Sequence, residues 1–363
     1  MSLSPIDDPT SGPALLRLKN LAASTAIVAV ACVIYGLAPY NRRQVDTLYG
    51  SPAFSFTGRA FLCLAALAYV GALAIYFLGR RYPLPSKSLR LVRILVEIVR
   101  SPRWQLRRSL SAEERLAVLA TLLKAFFGPL MAMSLMGFCI GAIDHGSAAV
   151  ADAASPMDLR TLFDRHGYWV LMQIILFVDV LIFTVGYLVE LPALGNAIRS
   201  VDPTLLGWTA ALLCYPPFNT VSGAILGSPR SDFPQFDDPT THLVLNLALL
   251  LLMAIYAWAS VSLGLKASNL THRGIVGRGP YRVIRHPAYT CKNLAWWIGS
   301  APLVMAGFDR SAFDGLQVIA SVAGWTLLYV LRALTEEDHL RHVDGDYAAY
   351  AARVRFRFVP GLI

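Results

Sequence analysis

The sequence predicts an all-α, polytopic integral membrane protein with about eight transmembrane helices and a cytoplasmic C-terminal helix. Three observations carry that prediction. Of 363 residues, 56% are hydrophobic and only 15% are charged. Long apolar runs recur along most of the chain, unlike the short amphipathic pattern of a soluble core. The net charge of +9 sits mainly in one loop and in the C-terminal third, between apolar runs. Such a distribution suits membrane lipids and an anionic cofactor, and argues against nucleic acid.

Since about 20 apolar residues cross a bilayer, spans are expected at Leu21–Leu37, Ala60–Leu78, Leu119–Ile143, Tyr168–Leu191, Leu205–Leu226, Leu243–Leu265, Leu294–Gly307 and Leu316–Leu334. The first follows a mixed stretch without a small-residue cleavage site, so it reads as a transmembrane helix and not as a signal peptide. The fifth contains Pro216-Pro217, which breaks a regular helix, and the seventh is short unless it starts upstream. The basic loop (80–110) carries Arg80, Arg81, Lys87, Arg90, Arg93, Arg100, Arg103, Arg107 and Arg108 against Glu97 alone. An excess of cations places it in the cytoplasm. Counting sides from it puts both termini inside. The acidic loops with Asp144, Asp152 and Asp158, and with Asp232, Asp237 and Asp238, then fall outside. Arg42 and Arg43, in the first outer loop, run against the rule. Within the basic loop, cations at helical spacing among apolar residues predict a helix lying in the headgroup plane.

Intramembrane carboxylates are costly and face an interior or a watery cavity. Asp179 and Glu190, eleven residues apart, are expected on nearly one face of the fourth span. They would line an ion path or pair with partners near the two interfaces. The scattered Cys32, Cys63, Cys139, Cys214 and Cys291 form no CxxC and no His-Cys cluster, so neither zinc nor a disulfide framework is expected.

The densest polar chemistry between apolar spans is Gly277-Arg278-Gly279-Pro280-Tyr281-Arg282-Val283-Ile284-Arg285-His286-Pro287-Ala288-Tyr289. Gly277 and Gly279 permit close backbone approach or positive φ, and a helix should begin near Pro287. Free amides at that start, with Arg282, Arg285 and His286 nearby, suit an anion. Each cation also reads as a snorkelling interface residue, and Tyr281 and Tyr289 as part of an aromatic belt. Glu336-Glu337 closes the last span; its carboxylates suit ribose hydroxyls or an amino group, or pair with Arg332 one turn earlier. The glycine spacing is not a dinucleotide-binding fingerprint.

Gly-Pro-Tyr-Arg-x-x-Arg-His-Pro-x-Tyr is followed after a hydrophobic hairpin by Glu-Glu-x-x-Leu, Asp-Gly-Asp-Tyr-x-x-Tyr and Val359-Pro360. In order and spacing this resembles the isoprenylcysteine carboxyl methyltransferase and phospholipid methyltransferase superfamily, over residues 243–363. The first 240 residues resemble nothing comparable, so the chain divides into an N-terminal membrane region (1–240) and a methyltransferase-like region (241–363). The resemblance implies a membrane methyltransferase that binds S-adenosyl-L-methionine from the cytoplasm and takes a lipophilic acceptor from the bilayer. It implies cofactor contacts from Gly279, Tyr281, Arg285, His286, Pro287, Tyr289, Glu336 and Glu337, with the backbone around Tyr281 and Arg285 cradling the methionine moiety. Catalytic roles would fall to Arg285, Glu337 and Arg353, and acceptor contacts to Cys291, Lys292, Tyr347 and Tyr350, with no metal. Cys291 and Lys292-Asn293 depart from the pattern, where a small residue and then apolar ones are usual. The acceptor stays open among a carboxylate, a lipid amine and a small thiol. An NADPH-dependent membrane reductase of the sterol-reductase type, or a non-enzymatic transporter or lipid-binding protein, are the alternatives.

Overall fold

Helix-starting side chains set much of the element order in the computed structural model, which describes residues 12–51, 54–101, 109–153 and 157–362. Its α-helices are α1 (Pro13–Leu37), α2 (Arg42–Asp46), α3 (Gly58–Leu78), α4 (Lys87–Arg100), α5 (Ala112–Asp152), α6 (Leu159–Leu188, with a π turn at Phe163–Gly167), α7 (Leu205–Leu212), α8 (Asn219–Leu226), α9 (Pro239–Leu263), α10 (Pro287–Arg310), α11 (Ala312–Val343) and α12 (Asp346–Arg353). Thr57, Ser86, Asp158, Thr204, Asp238 and Ser311 each accept a hydrogen bond from a first-turn amide, capping α3, α4, α6, α7, α9 and α11. That satisfies donors which would otherwise be stranded. Short strands complete the set: β1 (Leu48–Ser51) with β2 (Phe54–Thr57), and β3 (Ser200–Val201) with β4 (Thr271–His272), both pairs antiparallel.

Six helices among the described residues are long and apolar enough to cross a membrane: α1, α3, α5, α6, α9 and α11. The chain is therefore membrane-embedded. The fifth expected span is divided into α7 and α8 around Pro216-Pro217, where prolines remove backbone donors. The helix at the seventh expected span starts upstream, at Pro287, and runs 24 residues as α10, but it is not among the six, so the structure supports six of the eight expected spans.

The chain forms two compact units, residues 1–133 and 134–363, with the division inside α5. In the first, α1 packs against α3 and α4. Asn20 fastens the approach to α4: its Nδ2 donates to Leu84 O at 2.9 Å and its Oδ1 accepts from Ser86 N at 2.8 Å. Leu89, Leu91 and Ile94 of α4 are buried, while Leu95, Val96, Ile98 and Val99 remain exposed. Arg103, Arg107 and Arg108 lie outside the described residues.

The second unit is built on α6, α9, α10 and α11, each packed against the next. Its core gathers Tyr168, Met172, Leu249, Leu250, Met253 and Ala295. Asp179 and Glu190 do not share a helix face as expected, because α6 ends at Leu188 and Val189 is extended. Glu190 turns back to accept from Ile198 N at 3.0 Å. Asp179 stays inside, accepting from the hydroxyls of Tyr256 (2.8 Å) and Ser260.

Close backbone approach holds these helices together. A Cβ on Gly186 would stand 1.9 Å from Ala267 O, one on Gly299 2.3 Å from Ser231 O, and one on Gly307 2.9 Å from the Gly315 Cα. Gly186→Ala should therefore cost about 2 kcal/mol or more through overpacking, read as a lowered apparent melting temperature. Gly146→Ala, with open space at its Cβ, should not lower it.

Candidate functional site

The connection from α9 to α10 carries the polar chemistry, and two glycines let it fold. Gly279 has φ +57°, and a Cβ there would stand 2.1 Å from Ser262 Oγ on α9. Only glycine tolerates both conditions. A Cβ on Gly277 would meet Arg353 Nη2 at 2.8 Å, so its absence admits α12. Tyr350 of α12 then donates to Tyr281 O at 3.0 Å. Burial pushes the Tyr350 phenol up to about 12, so it remains a neutral donor.

Residues after α12 return to this connection. Arg285 N donates to Phe356 O at 2.9 Å, His286 N to Arg357 O at 3.0 Å, and Thr290 Oγ1 to Phe358 O at 3.1 Å. Of the backbone around Tyr281 and Arg285 expected to cradle a ligand, the Arg285 amide is thus engaged by the tail, as is that of His286. Sequence could not reveal this, because the bonds are between backbones.

Glu336 and Glu337 have different surroundings although they are neighbours on α11. Glu337 is 2% exposed. His286 Nε2 lies 3.1 Å from its Oε1 and Arg285 Nε 3.2 Å from the same oxygen; Arg341 Nη2 and Arg357 Nε each lie 3.2 Å from Oε2. Glu336 takes the Tyr289 hydroxyl and lies 3.4 Å from Arg332 Nε, the partner anticipated from helical spacing.

A cavity of about 200 Å³ opens within the second unit. Of the residues singled out in the sequence, Tyr281, Arg285, His286, Tyr289, Lys292, Glu336, Tyr347 and Tyr350 line it. Gly279, Pro287, Cys291, Glu337 and Arg353 do not, and Arg282 is exposed. Gly279 and Pro287 shape the connection, whereas Glu337 holds His286 and Arg285 from behind. His286 stacks on Tyr289 with centroids 5.6 Å apart and an interplanar angle of 9°. Arg332 lies over the Tyr289 and Tyr215 rings at 4.9 and 5.4 Å.

Several wall residues escaped the sequence reading: Asn269, Arg273, Tyr215, Tyr256, Ser260 and Tyr329. The polar run Ser268-Asn269 through Arg273 directly after an apolar span was the available signal. Asn269 Oδ1 accepts from Arg332, yet its Nδ2 is buried without a hydrogen-bond partner among the described residues, as is Arg273 Nη2. Buried donors left unmatched are costly. An acceptor arriving in the cavity would satisfy them. Among the described residues no group of three or more His, Cys, Asp and Glu side chains is arranged to hold a metal ion.

Family models, curated proteins and solved structures offer no match to this chain.

At the cavity rim, β4 is tied to the end of α11. His272 Nε2 lies 2.9 Å from Asp344 Oδ2, and Gly274 N donates to His272 Nδ1 at 3.4 Å. An Nδ1 that accepts must be unprotonated. Burial lowers the His272 pKa below its ordinary 6.5, with Asp344 opposing. The unfolded chain then binds the proton more readily, so this contribution is complete above 6.5 and is lost as pH falls toward the lowered value. Acidification from roughly pH 7.5 to 5.5 should lower the apparent melting temperature, and His272→Asn should flatten that slope.

Glu337→Gln would leave three guanidiniums beside a neutral amide. Losing one partner of a buried ionic cluster costs about 3–5 kcal/mol. Asp338→Asn, at a side chain 69% exposed, should stay within about 0.5 kcal/mol. Comparing the two melting temperatures checks the assignment.

Proposed function

We propose that the protein is an S-adenosyl-L-methionine-dependent methyltransferase acting on a lipophilic or membrane-embedded acceptor, with its cavity reached from the cytoplasm. The observation that carries this reading is the meeting, on one cavity wall, of the Tyr281–Tyr289 segment and Glu336. The motif resemblance requires these two stretches to serve one ligand, and they are separated by the whole α10–α11 hairpin.

The chemical inventory fits the cofactor. Its amino-acid carboxylate would match the unmatched donors of Asn269 and Arg273. Its cationic parts would meet Glu336 and the faces of Tyr281 and Tyr289, and its nucleoside would suit an aromatic wall. When bound, the cofactor supplies a methyl group to an acceptor lone pair, the carbon–sulfur electron pair passing to sulfur. The chain's own task is alignment and exclusion of water. Tyr289 and Arg332 fix the Glu336 carboxylate, Glu337 fixes Arg285 and His286, and α12 covers the connection through Tyr350. Under this reading Arg285 acts at the wall, while Glu337 and Arg353 are positioning residues.

Isothermal titration of S-adenosylhomocysteine into the full chain in nanodiscs tests this. Saturable binding is expected, weakened about ten-fold in Tyr289→Phe through loss of one hydrogen bond to a charged group. Binding of NADPH with no response to S-adenosylhomocysteine would instead establish the reductase reading.

A further inference from the structure

The first unit carries a basic end that the cavity of the second does not explain. α3 is one of the helices fit to cross the membrane and ends at Leu78, with Arg80 and Arg81 directly after it. At about 1.5 Å per residue, both stand within one helical turn of the hydrocarbon boundary. Their guanidiniums lie over the Tyr76 and Tyr82 rings at 4.9 and 5.6 Å. Ring faces hold a cation without using up its in-plane N–H donors. From α1, Arg17 Nη2 reaches the same turn and donates to Arg81 O at 3.4 Å.

α4 begins at this level and is fastened there. Asn20 bonds Leu84 O and Ser86 N, and Ser86 caps the helix. Beyond that anchor, α4 has two unlike sides. Leu95, Val96, Ile98 and Val99 are exposed, Val99 at 80%. With about 100° between successive residues, Arg93 and Arg100 fall on one line roughly 150° around the helix from Leu95. Arg90 on that polar side pairs with Glu113 of α5, whereas Arg93 and Arg100 pair with no carboxylate among the described residues. Across residues 13–20, 79–100 and 112–115, nine cations stand against three acids. That surplus, on elements that also expose apolar side chains, matches the plane where acyl chains meet negatively charged headgroups. A zwitterionic headgroup brings its own ammonium and offsets none of it. An acidic protein segment would answer the arginines but leave the opposite, apolar side of α4 uncovered.

We propose that α4 and the Arg80-Arg81 turn form a recognition surface for anionic phospholipids. Arg93 and Arg100 take the phosphates of headgroups that carry no compensating ammonium, while Leu95, Val96, Ile98 and Val99 enter the acyl layer. The first unit thereby gathers net-negative lipids around itself. This depends on no reading of the cavity.

For the test, the full chain carrying a benzophenone amino acid in place of Val99 is reconstituted in vesicles of equal phosphatidylglycerol and phosphatidylcholine with matched acyl chains. Irradiation is followed by mass spectrometry of the lipid adducts. The same side chain in place of Leu67, 68% exposed midway along α3, is the reference. Phosphatidylglycerol adducts should exceed phosphatidylcholine adducts at least about five-fold at position 99, the scale of one arginine's attraction to an anionic surface. At position 67 the two should be equal. Salt at about 0.5 M should shrink the preference by screening. Arg93→Gln with Arg100→Gln should bring the ratio to about one, and Arg93→Lys with Arg100→Lys should keep it. Equal labelling at position 99 with both arginines present overturns the proposal, and that result needs no arginine variant to fold. An undiminished preference in the folded double glutamine variant overturns it too, as does a preference of the same size at position 67. A protein cross-link at position 99 in place of lipid adducts would show that a second copy covers α4, and would equally end the proposal.

Discussion

The Glu337 carboxylate is the interaction on which the second unit's polar end depends. A single buried carboxylate would be prohibitively desolvated alone, and here it is surrounded by Arg285, His286, Arg341 and Arg357. Those four side chains come from three places in the chain: the start of α10, the last turns of α11 and the segment after α12. One anion therefore fixes the mutual position of all three. The cavity wall follows from it, because Arg285 and His286 face the cavity from the position that Glu337 sets.

A second constraint is steric. Gly307 and Gly315 let α10 and α11 turn back on each other closely, and Gly186 and Gly299 admit neighbouring carbonyls that any side chain would displace. In hydrocarbon, packing replaces the hydrophobic effect as the force between helices, so small residues at crossings have unusual weight. Precision gained at these crossings is passed down the hairpin to Tyr289 and Glu336, whose hydroxyl–carboxylate bond joins the two arms.

Much of this was legible in the chain before folding. Apolar run length gave the long helices, Pro216-Pro217 gave the break between α7 and α8, and the Gly277–Tyr289 segment with Glu336 gave most of one cavity wall. The rest depended on three-dimensional information. Periodicity extended the fourth span through Glu190, but the chain leaves the helix at Val189, where the Glu190 carboxylate turns toward Ile198 N. Both adjacent glutamates were expected at the cofactor, and only the helix's rotation decides that Glu336 lines the cavity while Glu337 lies behind it. Asp179 stood out as a buried charge, yet nothing local joins it to Tyr256 and Ser260, 77 and 81 residues later. Asn269 and Arg273 were simply polar residues in a loop until their stranded donors marked a wall.

The strap formed by Phe356, Arg357 and Phe358 over the start of α10 has a consequence for biogenesis. Translation makes α9, α10 and α11 before the residues of the strap. During that interval the Arg285 and His286 amides have no carbonyl to bind, and Glu337 lacks its Arg357 partner. The helices can insert in sequence, but the polar end cannot close until the strap emerges. Closing of the polar end therefore waits for synthesis of these few residues, which come after every helix they join.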